Sequence, residues 1–66
     1  MFIVMEIQTN ADGTVGNFVW TYSTVPEAES KYHSVLAAAA ISTLPKHACV
    51  MMNNEGVVFR YQCYEH

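Results

Sequence analysis

Three neighbouring residues, Lys31, Tyr32 and His33, place an ammonium, a phenol and an imidazole side by side. Such a set suits a phosphate-bearing aromatic ligand, with cations for the oxyanion and a ring for stacking. A second set closes the chain in "RYQCYEH", where alternation puts Arg60, Gln62 and Tyr64 on one strand face and Tyr61 and Cys63 on the other. Arg60 is the single arginine, and its planar guanidinium matches carboxylate or phosphate bidentately. Trp20, between Phe18 and Tyr22, offers a stacking platform. Each feature has a plainer reading. Glu27–Lys31 and Glu29–His33 have i,i+4 spacing, worth about 0.2–0.5 kcal/mol each on an exposed helix. Tyr32 and the Phe18–Trp20–Tyr22 row then belong to a core, and Arg60 pairs with Glu6 or another carboxylate.

No metal site is expected. His33, His47 and His66 lie 14 and 19 residues apart, without the short spacings that place two ligands on one element. Cys49 and Cys63 lack Cys-x-x-Cys spacing and read as reduced core thiols. No Ser/His/Asp constellation, glycine-rich phosphate loop or paired-carboxylate motif stands out. The expectation is a binding protein rather than an enzyme, with no cofactor.

The elements that must carry these residues follow from periodicity. "FIVMEIQ" is a short, β-branched run, with Ile3, Met5 and Ile7 on one face and Phe2, Val4, Glu6 and Gln8 on the other. "TNADGTVG" is turn chemistry, and "NFVWTYS" alternates strictly, so the two runs form a hairpin. "TVPE" reads as a capping box in which Thr24 accepts from the Glu27 backbone N–H. A helix follows from about residue 25 to 41 or 42, with Ala28, Tyr32, Val35, Leu36, Ala39 and Ala40 in one stripe. "HACVMM" and "VVFRYQCYEH" form a second hairpin around "NNEG". A type I turn with Gly56 in a left-handed bulge sets Cys49 against Tyr61; a two-residue turn sets it against Arg60. Neither opposes the two cysteines, so no disulfide is expected. The fold class is α+β, in the order β-β-α-β-β, as one domain over residues 1–66, with one helix on one sheet face. Whether the hairpins merge within a chain or across chains is open.

A domain of about 60 residues buries only about 60% of its unfolded surface and needs reinforcement. Here 52% of residues are hydrophobic and 14% charged, an excess of apolar surface that points to oligomerisation. Ala37 to Ala40 permit close approach, so Ala37, Ala38 and Ile41, with Phe2 and Val4 of the first strand, are the expected subunit contacts. The partner is a second copy. A net charge of −3 with three scattered cations disfavours nucleic acid as a partner. No membrane-length apolar run or signal-peptide pattern is present, and a cytoplasmic location is the expectation.

At "AESKYHSVLAAAA" and the closing "CYEH" the chain resembles short, mostly uncharacterised proteins of bacteriophages and prophages. The resemblance implies a phage accessory protein in a bacterial host's cytoplasm, and no functional residue carries over from it. By analogy of type, small oligomeric phage proteins include sponges that sequester nucleotide signals of antiphage defence. The expected function is a homo-oligomeric sponge for a cyclic nucleotide or ADP-ribose-derived molecule, held by Lys31, Tyr32, His33, Arg60, Tyr64 and Trp20 between subunits. The alternative is a protein-interaction module that inhibits a host or phage protein through its sheet face.

Overall fold

A computed structural model describes residues 1–66 and contains four strands and one helix. They are β1 (Phe2–Thr9), β2 (Val15–Tyr22), α1 (Val25–Ala40), β3 (Lys46–Asn53) and β4 (Val58–Glu65). The two hairpins merge into one four-stranded antiparallel sheet, in the order β2-β1-β3-β4. β1 pairs with both β2 and β3, so β2 and β3 run the same way with β1 between them. Their connection must recross the sheet, which a tight turn cannot do and a helix can.

The β1–β2 loop closes through Asn10 N–H to Thr14 O (2.8 Å) and Gly13 N–H to Asn10 O (3.0 Å). Gly13 there has φ +88°, a conformation glycine adopts without steric cost. In the second hairpin Gly56 has φ +87°, as the left-handed bulge requires, and Asn53 Oδ1 accepts from the Glu55 and Val57 N–H groups. A second irregularity then intervenes. Met52 pairs with Val58 but Met51 pairs with Arg60, so Phe59 is an extra residue in β4. This bulge advances the rest of the ladder by one, and Cys49 opposes Gln62, not Tyr61 or Arg60. Cys63 opposes Ala48, and both thiols are free.

The helix begins at Val25 after Thr24, with Pro26 in its first turn. The capping box forms differently from the expected one. The Thr24 hydroxyl donates to Glu27 Oε1 (2.7 Å) and leaves the backbone N–H groups without a side-chain cap. Ala28, Tyr32, Val35 and Ala39, spaced four, three and four apart, form the buried stripe. They meet Val4, Cys49 and Met51 of the central strands, with Phe2, Trp20, Tyr22 and Leu36 packed around them. Ala40 is exposed, as are Ala37 and Ala38.

Only eight residues are buried, because the single helix covers only one sheet face. The pairings place Ile3, Met5, Ile7, Ala48, Val50, Met52 and Val58 together on the opposite face, which nothing in the chain covers.

Candidate functional site

The helix divides the expected ligand residues into two groups. On its β2 side, Lys31 Nζ lies 4.0 Å from the centroid of the Trp20 ring, within cation–π range. Phe18 continues this surface, its ring stacked on Trp20 at 6.1 Å between centroids, and is itself 54% exposed. Phe18, Trp20 and Tyr22 share the helix-facing side of β2, but β2 is an edge strand, so its aromatics extend beyond the helix. Beside Lys31 runs an open groove of about 540 Å³ lined by Tyr22, Pro26, Glu27, Ser30, Lys31 and Ser34. Helical spacing of three and four puts Glu27, Ser30, Lys31 and Ser34 along one flank. Lys31 thus turns to Trp20, and Glu27 to Thr24, in place of the expected Glu27–Lys31 pair.

On the β4 side, Arg60 Nη2 meets Glu29 Oε1 at 3.3 Å. The partner is the other carboxylate rather than Glu6, and Glu29 is directed away from the expected pairing with His33. Both side chains are well exposed, so the pair is worth about 0.2–1 kcal/mol. Together with Val25, Met51 and Phe59 they border a cleft of about 230 Å³. Phe59 reaches this side because of the bulge, with its ring 6.0 Å from Phe2. Tyr64 stacks on His66 at 6.5 Å, and His66 Nε2 donates to the Ala39 carbonyl (3.0 Å) at the helix end. His33 lies edge-on to Tyr32 at 5.6 Å and is exposed. Tyr32 is 4% exposed; burial first, then Cys49, pushes its phenol above the ordinary value, while Arg60 opposes. Tyr32 is therefore a packing residue between the two groups. Within one chain Lys31 and Arg60 flank opposite sides of α1 and do not converge on one anion.

A third cluster joins residues that the sequence alone does not bring together. His47, 4% exposed, joins Glu6 Oε2 through Nε2 (2.5 Å) and Ser42 Oγ through Nδ1 (2.9 Å). With Glu6 ionised, Nε2–H donates to the carboxylate and Nδ1 accepts from the Ser42 hydroxyl. Gln8 Nε2 donates a further bond to Glu6 Oε2 (3.1 Å). Ser42, His47 and Glu6 thus form one hydrogen-bonded chain of hydroxyl, imidazole and carboxylate. None of the three surface depressions reaches Ser42. The effect of these bonds is to tie the segment after α1 to β1 and β3. Two hints lie in the sequence: Glu6 falls on the apolar face of β1 with Phe2 and Val4, and His47 alternates with Cys49 and Met51. Their meeting depends on β1 pairing with β3, which sequence left open.

Cys49, fully buried beside Glu6, has its thiol pushed up to about 11, by burial first and by the carboxylate second. No group of three or more His, Cys, Asp or Glu side chains converges in metal-binding geometry. No helix is long and apolar enough to cross a membrane.

Of the expected subunit contacts, Ala37, Ala38 and Ile41 lie on the outer helix surface, with Ile41 86% exposed. Phe2 is half-buried at the helix side of β1. Val4 has no exposed surface, because Ala28, Val35 and Met51 close over it in the core cluster. It has no area to offer a partner. Comparison with known proteins returns no match to a family model, a curated protein or a solved structure.

Proposed function

We propose that this chain is a small binding protein that takes one phosphate-bearing aromatic ligand, of the nucleotide class, in the groove between α1 and β2. The observation that carries the reading is Lys31 held over Trp20 beside the hydroxyls of Ser30, Ser34 and Tyr22. A base stacks on the Phe18–Trp20 surface, and Lys31 with the two serine hydroxyls receives a phosphate. Glu27 borders the same groove, so Lys31 offsets its charge as well as that of the ligand. Arg60 and Tyr64, on the far side of the helix, have no part in this groove. In the setting implied by the phage resemblance, such a protein acts in a host cytoplasm as a sponge for a nucleotide signal.

Trp20 is the only tryptophan and has Lys31 over its ring, so its fluorescence reports on a ligand that engages Lys31. Titration with cyclic dinucleotides and cyclic ADP-ribose isomers is expected to quench it saturably, and the recovered ligand is expected unchanged. No quenching and no heat with any of them would reject the reading. A second reading, docking of a host or phage protein on the sheet, is favoured by the uncovered apolar face.

A further inference from the structure

We infer that the uncovered sheet face is a homodimer surface, on which a second copy packs face to face. This is the side opposite to the alanine run, and the inference is independent of the groove.

The register arranges the face in rows. Val19, Met5, Val50 and Tyr61 form an unbroken apolar row across all four strands. Asn17, Ile7, Ala48 and Cys63 lie in the row on one side of it, and Thr21, Ile3, Met52 and Val58 in the row on the other. The outermost row is Val15, Thr9, Lys46 and Glu65. The apolar area around Met5 and Val50 runs out to Val19 and Tyr61 at the two sheet edges, and Thr9, Lys46 and Glu65 bound it at one end. An apolar centre of this kind resembles the core of a protein interface.

Three arguments select a second copy. The first is charge. The chain carries −3, but this face holds one cation and one anion, Lys46 and Glu65, which are ladder partners at one corner. The face is neutral, so like meets like without repulsion, and a strongly charged partner finds no complement. The second is area. Four eight-residue strands span roughly 20 by 26 Å, on the order of 500 Å² of projected face. Two copies then bury on the order of 1,000–1,300 Å², the lower range of specific interfaces. The third is shape. Identical sheets share the same twist and pack aligned, about 30° apart and about 10 Å between layers. Met5 and Met52, flexible and polarizable, fill the gaps that two copies of one surface leave. The dimer is a four-layer α-β-β-α sandwich with both α1/β2 grooves open on its outside, so each copy binds its ligand separately.

Sedimentation equilibrium from micromolar to millimolar protein tests this, with Tyr61→Lys, Val50→Lys and Ala38→Lys as variants. Tyr61 is 73% exposed in the single chain, so its replacement leaves the fold intact, which circular dichroism verifies. A reversible dimer is expected, weakened at least tenfold by Tyr61→Lys and Val50→Lys and unaffected by Ala38→Lys. A monomer at every concentration overturns the inference. So does a dimer that survives both sheet variants, which would mean pairing through a strand edge, or one broken by Ala38→Lys, which would mean pairing through the helix. Trp20 quenching by nucleotides is read separately in the Tyr61→Lys monomer, so failure of the groove and failure of the dimer are told apart.

Discussion

His47 does more at the residue scale than its place in an apolar strand suggests. Its ring satisfies Ser42 and Glu6 together, and no buried side-chain nitrogen or oxygen lacks a partner. Replacing it with alanine strands a shielded carboxylate, and His47→Ala is expected to cost about 2–3 kcal/mol in urea unfolding. Glu6→Gln keeps an acceptor at the same place and is expected to cost about 1 kcal/mol. The cysteines differ in the same way, by environment. Cys63 is exposed in the single chain and Cys49 fully buried, so in the Tyr61→Lys monomer a thiol reagent is expected to label one site in the native state and two in denaturant. The raised Cys49 thiol also gives an alkaline limb. Its ordinary value is 9.0 and its folded value about 11. The folded state therefore favours the protonated thiol. That contribution is fully present below pH 9 and is lost as pH rises from about 9 to about 11. Cys49→Ala is expected to flatten this part of the stability–pH curve.

At the scale of elements, the alanine run has two unlike halves of one property. Ala39 has no exposed surface and sits where α1 meets the sheet, whereas Ala37, Ala38 and Ala40 face outward. Ala39→Leu is expected to destabilise by about 1–3 kcal/mol through overpacking. Ala38→Leu is expected to stay within about 0.5 kcal/mol, by thermal or urea unfolding. The helix and its stripe were legible because a 3.6-residue period is local. The hairpin with Gly56 was legible too, since its turn chemistry lies within five residues. The Phe59 bulge was not. It carries no glycine, and on the helix side Phe59 meets Phe2, more than fifty residues away. One unpaired residue was enough to move Cys49 opposite Gln62.

At the scale of the whole molecule, the helix acts as a partition. Lys31 and Arg60 flank opposite sides of α1, so one chain does not bring them to the same phosphate. For the nucleotide-class ligand proposed above, Lys31→Ala is expected to weaken binding about tenfold, roughly 1.4 kcal/mol. Arg60→Ala is expected to change it less than about twofold, measured by the same Trp20 titration. The one helix also decides which apolar surface is left over. The surplus was visible in composition, and its location was not. The covered face took Val4, and the surplus lies with Met5 and Val50 behind it.

What the sequence determined alone was the local grammar: the order β-β-α-β-β, the alternating faces of β1, the buried stripe of α1 and the excess of apolar side chains. These depend on periods of 2 and 3.6 and on turn residues, all short-range. Only the tertiary structure decided that β1 sits beside β3, that Glu6 therefore meets His47, and that Lys31 faces Trp20 while Arg60 faces Glu29. Those outcomes depend on which strand pairs with which and where the helix crosses. Both are settled by burying one face of the sheet as a whole, and no stretch of a few residues records that.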